Sequence, residues 1–138
     1  MSSVLNPYIS FRDTAREAMS FYQSVFGGEV VTTTFGEGGM PHDPAEADLI
    51  MHSRLITESG FVLMVSDTPA TMEYTPGTNI SISLGGEDEA DLTRWWESLI
   101  VGATVTAPLM KAPWGDSFGM CTDRFGVPWM VNIAGAAA

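Results

Sequence analysis

The 138-residue chain carries 17 acidic against six basic side chains, a formal charge of −11. That length suits one domain, or two small modules sharing a core, and needs no covalent staple because about two-thirds of the unfolded surface is buried at this size. A field this negative repels polyphosphates and anionic membrane surfaces, and the lone cysteine, Cys121, excludes an intrachain disulfide or a cysteine-based zinc site.

Apolar residues make up 45% and charged residues 17%, the balance of an ordered globular chain. The opening MSSVLNPYISF has neither a basic n-region nor a long apolar h-region. With no apolar run near the ~18 residues of a membrane span, a cytoplasmic protein is expected.

In chain order, the NPYISF stretch opens as a strand, followed by Thr14-Ala15-Arg16-Glu17 in capping-box form. Ala15, Ala18, Met19, Tyr22, Val25 and Phe26 then recur at helical spacing until Gly27-Gly28. Strand-like runs follow at 29–35, 49–57 and 61–66, the last two joined by a tight turn at Glu58-Ser59-Gly60. The stretch 36–48, GEGGMPHDPAEAD, is a long connection of the kind that covers a site. It lacks the Gly-x-Gly-x-x-Gly spacing of a nucleotide loop. A Pro- and Thr-containing linker at 67–76 leads to the second half.

There, Asp88 is placed to cap a helix whose first turn is acidic, with Leu92, Trp95 or Trp96, and Leu99 as its buried stripe and Gly102 as its stop. Strand-like runs at 104–110, 117–122 and 127–133 follow, with Asp123-Arg124-Phe125-Gly126 as a turn in which Gly126 can take positive φ. The closing AGAAA is expected to be loose.

The two halves match each other. Asn6 aligns with Asn79, Ile9-Ser10-Phe11 with Ile82-Ser83-Leu84, Phe21-Tyr22-Gln23-Ser24 with Trp95-Trp96-Glu97-Ser98, and Gly28 with Gly102, given a one-residue slip between strand and helix. The expected fold class is therefore α+β, with two tandem βαβββ modules: module one at about 4–66, linker 67–76, and module two at about 77–133.

A tandem βαβββ chain with the stretches NPYISF, EAMSFYQSVFGGE, MHSRL, VLMVSD and WGDSFGMCTDRFGVPWMVN resembles the vicinal oxygen chelate superfamily. That superfamily includes glyoxalase I, extradiol dioxygenases, fosfomycin-resistance enzymes and bleomycin-resistance proteins. Within it the chain is most similar to the PhnB-like branch. The branch often carries a demethylubiquinone-methyltransferase label, yet no Gly-rich methyl-donor site is present. The resemblance implies a curled mixed sheet around a cleft, a homodimer, and four cleft positions that hold a divalent ion in metal-dependent relatives. Those positions map to Asn6, Met64, Asn79 and Met130. Neutral amides and thioethers are poor ligands for hard or borderline divalent ions, so no metal and no cofactor is expected.

With side chains alternating along strands, Tyr8 shares a face with Asn6, Ser81 with Asn79, and Asn132 with Met130. Together they suit a small organic ligand, and the acidic charge mildly prefers a cationic one. Trp114 and Asp116 stand at a strand mouth, as a ligand cover and a partner for a cation, or as a core edge and a turn cap. His52 is a weak catalytic candidate: a base or donor if it faces the cleft, a packed core histidine if it faces the helix. His42 reads as solvated, Asp67 and Asp123 as strand-end and turn residues, and Cys121 as no nucleophile for lack of a neighbouring base. Three functions remain open at this point: a metal-free small-molecule binder; a metal-dependent lyase or isomerase using unrecognised ligands such as His52 and the acids of 36–48; and a non-catalytic interaction module with a filled cleft.

Overall fold

Alternating apolar residues make eight strands, and two runs at helical spacing make the long helices that cover them. The computed structural model describes residues 2–135. The chain divides between Pro76 and Gly77 into two compact units. Unit one comprises β1 (Tyr8–Phe11), α1 (Ala15–Phe26), β2 (Glu29–Thr34), a one-turn α2 (Phe35–Gly38), β3 (Ile50–Ile56) and β4 (Val62–Asp67). Unit two comprises β5 (Ile82–Gly86), α3 (Glu89–Leu99), β6 (Thr104–Lys111), β7 (Ser117–Thr122) and β8 (Pro128–Ile133). The sheet orders are β1-β4-β3-β2 and β5-β8-β7-β6. In each, the first strand runs parallel to the last and the remaining pairs are antiparallel. This is βαβββ twice, as the sequence predicts.

The repeat extends to the turns. In β3–β4, the Thr57 N–H donates to the Phe61 carbonyl at 2.9 Å and the Gly60 N–H to the Thr57 carbonyl at 3.0 Å. In β7–β8, Asp123 N–H to Val127 carbonyl and Gly126 N–H to Asp123 carbonyl repeat these at 2.8 and 2.9 Å. Gly60 and Gly126 take φ of 91° and 88°, the left-handed conformation that costs glycine nothing. Even the first turn residue matches in role: Thr57 Oγ1 accepts the Phe61 N–H at 2.9 Å, and Asp123 Oδ1 accepts the Val127 N–H at 3.1 Å.

Helix α1 buries the six residues its spacing singles out. In α3 the stripe includes both Trp95 and Trp96. Trp96 has room because residue 119 is glycine: a Cβ there would lie 2.9 Å from the Trp96 ring and 3.0 Å from the Leu109 Cα.

Four expectations need correction. Thr14 stands at the N-cap of α1, but its side chain makes no capping bond. Instead the Ala15 N–H donates to Asp67 Oδ1 at 3.0 Å, while Asp67 Oδ2 accepts the Ile50 N–H at 2.9 Å. A carboxylate 52 residues away in sequence thus replaces the local hydroxyl. Capping boxes occur instead inside the 36–48 stretch and at its edge: Thr34 with Glu37 heads α2, and Asp43 with Glu46 heads a 3₁₀ turn at Pro44–Glu46. That connection is therefore hydrogen-bonded structure and not a plain loop. The tail begins tied down, with Ala134 N–H on the Gly86 carbonyl at 2.7 Å and Gly135 N–H on Asp116 Oδ1 at 2.8 Å. Residues 136–138 lie outside the described residues.

The fourth correction concerns alignment of the halves. Counting from the matched turns, Val65 corresponds to Val131. Ile9 pairs with Val65 and Leu84 with Val131. The first strands are therefore offset by two residues from the sequence match, which set Ile9 against Ile82. A two-residue offset keeps every side chain on its face, so the sequence pattern cannot reveal it.

Asp67 and Asp123 are both buried, and each accepts bonds on both oxygens. Asp123 takes the Phe125 and Val127 N–H groups on Oδ1 and the Trp129 indole N–H on Oδ2 at 2.8 Å. Removing a partner so that a buried donor is orphaned costs about 1–3 kcal/mol per donor. Asp67→Ala and Asp123→Ala should each lower unfolding free energy by roughly 2–5 kcal/mol, read by urea denaturation. A loss below about 1 kcal/mol in either would mean that water takes over these bonds.

Candidate functional site

Alternation sorts each sheet into a helix-facing side and an open side. In β4, Leu63, Val65 and Asp67 are buried toward α1, whereas Val62, Met64 and Ser66 are half-buried on the other face. In β8, Trp129, Val131 and Ile133 are buried, and Pro128, Met130 and Asn132 take the open face. Met64 and Met130 occupy equivalent places.

On the open face of unit one, Met64 is paired with Tyr8 on one side and with Arg54 on the other. His52, two residues before Arg54 on β3, shares that face. This answers the question its register left open: His52 points away from α1. The Tyr8 ring leans across β4 so that its hydroxyl lies 3.2 Å from His52 Nδ1, with the ring centroids 5.6 Å apart. Ser10 and Ser66 lie in the next register row.

On the open face of unit two, Ser83, Met130 and Met120 form one row, and Gly85, Asn132 and Phe118 the next. Asp116 Oδ2 accepts from the Asn132 side-chain amide at 3.0 Å. The Trp114 ring, 64% exposed, stands edge-on to Phe118 with centroids 6.0 Å apart. The Asn132 amide, then the Gly135 N–H and the Trp114 indole, hold the Asp116 carboxyl below the ordinary aspartate range. Asp116 is thus a brace between the hairpin, the tail and the exposed indole.

Other candidates fall elsewhere. Asn6 and Asn79 precede the strands, which begin at Tyr8 and Ile82, and Ser81 stands one residue ahead of β5. The register puts Tyr8 and Ser83 beside the two methionines. His42 is half-buried, with Nδ1 2.7 Å from the Met40 carbonyl and its ring against Phe35. Cys121 is buried, and burial together with the Asp123 charge raises its thiol pKa, which suits a core residue and not a nucleophile.

Sequence reading missed Arg54, Ser83, Phe118 and Met120. Period two from His52 reaches Arg54; Ser83, Phe118 and Met120 join Met130 and Asn132 only through the pairing of β8 with β5 and β7. The donor set offered by Asn6, Met64, Asn79 and Met130, or by Tyr8 and Ser83 in place of the asparagines, does not fit a hard or borderline divalent ion. Among the described residues, no group of three or more His, Cys, Asp and Glu is placed to hold one.

A separate cavity of about 210 Å³ lies on the helix side of unit one, lined by Arg16, Gln23, Thr32 and Ser53 among others. Several of its polar groups are used internally: Arg16 donates to the Asp48 carbonyl at 2.8 Å, and the Thr32 and Ser53 hydroxyls bond each other at 3.0 Å.

The model of the Glyoxalase/Bleomycin resistance protein/Dioxygenase superfamily matches residues 4–131. Protein YjdN of Escherichia coli is 28% identical over 142 residues, covering 94% of each chain. The crystal structure of protein PA1353 from Pseudomonas aeruginosa superposes with a TM-score of 0.85 at 41% identity, covering 96% of this chain and 98% of that one. A Bacillus cereus PhnB protein, titled a putative 3-demethylubiquinone-9 3-methyltransferase, gives a TM-score of 0.76 at 22% identity over 96% of this chain and all of that one, a likeness of fold alone. No helix among the described residues is long and apolar enough to cross a membrane.

A carboxyl whose folded pKa is depressed contributes stability above its unfolded pKa and loses it as pH falls through the folded value. Carboxyl NMR should find Asp116 titrating below an ordinary aspartate, and Asn132→Leu should move that midpoint upward. An unchanged midpoint in the variant would remove Asn132 as the main cause.

Proposed function

The chain belongs to the Glyoxalase/Bleomycin resistance protein/Dioxygenase superfamily, and from that membership we propose that it binds a small organic molecule against its open sheet faces without a resident metal ion. The observation that carries this reading is the pair of rows centred on Met64 and Met130. Each sets a polarizable thioether between hydrogen-bonding or apolar neighbours: Tyr8 and Arg54 in one unit, Ser83 and Met120 in the other. Thioethers adapt to irregular apolar shapes and contact aromatic rings favourably. A few polar groups around them supply orientation. The same donors give a divalent ion little to bind, which supports binding over metal-assisted chemistry.

A second reading, a lyase or isomerase, draws on the Tyr8–His52 contact, since an imidazole oriented by a hydroxyl is a usable general base. It requires a proton-bearing substrate carbon within reach of His52. We hold it second because, among the described residues, the other acid on that face, Glu29, stands opposite Ile56 at the end of β2 and makes no contact with His52 or Tyr8.

The test has two parts. Protein made without chelator, with Zn, Ni, Mn and Fe supplied in turn, should carry no stoichiometric metal by mass spectrometry; a stoichiometric ion would overturn the metal-free reading. A thermal-shift screen of small aromatic compounds should find ligands, because one present at 100 times its Kd stabilises by about 2.7 kcal/mol. Those shifts should vanish in Met64→Asp and Met130→Asp. Hits that survive both substitutions would place binding elsewhere, and the absence of any hit would favour filled, ligandless faces. Sedimentation of the same samples reads the expected homodimer.

A further inference from the structure

The chain as a whole is strongly anionic, yet the open face of unit one is not. Of the six lysines and arginines and two histidines in the sequence, Arg54 and His52 stand two residues apart on that face of β3, about 7 Å along the strand. Among the described residues, the Arg54 side chain makes no ion pair or hydrogen bond, whereas Arg94 of unit two pairs with Asp91 at 2.9 Å. The groups facing Arg54 and His52 from neighbouring strands are Val31 and Thr33 of β2 and Met64 of β4. The acid on this face is Glu29, opposite Ile56 at the end of β2, and it makes no ion pair with Arg54.

The Tyr8–His52 contact adds direction. The Tyr8 hydroxyl and His52 Nδ1 share one hydrogen bond; in the tautomer in which the hydroxyl donates, and in the protonated ring, the free Nε2 edge of the imidazole is a donor. One strand face thus carries an imidazole with a free Nε2 edge and, two residues on, a guanidinium side chain, with Met64 paired to Arg54 and the Tyr8 ring, 50% accessible, against His52. Guanidinium and imidazole donors at this separation recognise a carboxylate or similar oxyanion, and the thioether and phenol accept the apolar or aromatic body attached to it.

We infer that the open face of unit one selects a small organic acid, an aromatic or apolar body bearing one anionic oxygen group, with Arg54 and the Nε2–H of His52 as the anion's donors and Tyr8 as the residue that positions His52. The inference rests on the ligand-binding reading above and names the class of ligand. It reverses the cationic preference that net charge alone suggests. Screening confines each exposed charge to a radius of about 8 Å at physiological salt, so the groups within contact distance decide the sign of the ligand.

Three probes with one ring system and different head groups test it: naphthoate, naphthamide and naphthylmethylammonium. Each is titrated into the full chain while NMR follows the His52 ring, the Arg54 Nε–Hε and the Met64 methyl. Naphthoate should bind roughly tenfold tighter than naphthamide, the scale of one hydrogen bond to a charged group, and should move all three signals. Arg54→Gln and His52→Gln, each checked for a native amide spectrum, should bring naphthoate down to the affinity of the amide. Tyr8→Phe should weaken naphthoate less and shift the His52 nitrogen signals toward the other tautomer.

Equal binding of all three probes with Met64 still moving would overturn the anion preference and leave the small-molecule reading standing. Naphthoate binding indifferent to both substitutions would overturn the assignment of Arg54 and His52. Silence of every signal with every probe would overturn both this inference and the reading beneath it.

Discussion

Each four-stranded sheet in this chain has one long helix to cover it, and a helix covers one face. Period-two alternation therefore divides every strand into a side that packs on the helix and a side that does not. The core is built by the first side: Leu63 and Val65 under α1, and Trp129 and Val131 under α3, are all buried. The second side is left half-exposed and carries the side chains with chemistry. Met64, His52, Arg54 and Tyr8 are together because they share parity, and the same holds for Met130, Met120 and Ser83.

Holding those faces in register falls to a few polar groups inside the units. Asp67 ties the start of α1 and the start of β3 to the end of β4 through two N–H bonds. Asp123 closes the β7–β8 turn and fixes the buried Trp129 indole. Buried carboxylates are expensive unless every oxygen is satisfied, and here both are. Neither belongs to the open faces, so their value lies in placing the strands. Gly119 does comparable work by absence, since a side chain there would lift Trp96 off the sheet.

The chain shares the frame of its superfamily, but fold does not carry function by itself. In this chain thioethers stand at 64 and 130 on the open faces; such groups are soft and adaptable and are poor ligands for hard divalent ions. The −11 of the chain is a total, and at physiological salt exposed charges more than about 8 Å apart are largely screened from one another.

Much of this was legible from the sequence because it is local. Helical spacing named the six buried residues of α1, turn chemistry named Gly126, and the internal match of the halves named βαβββ twice. Those features depend on neighbours within a few residues, where propensity and periodicity act directly. What tertiary structure decided is non-local. The parallel pairing of β1 with β4 spans 56 residues between Tyr8 and Met64, and a two-residue slip in it preserves the hydrophobic pattern, so the pattern alone does not say that Tyr8 and Ser83 flank the methionines. The cap of α1 was read as Thr14 because capping is usually local, and it proved to be a carboxylate from the far end of the unit. The orientation of His52 was open for the same reason. A strand's pattern says which residues share a face, but only its pairing with distant strands says which face meets the helix and whose side chain lies across it.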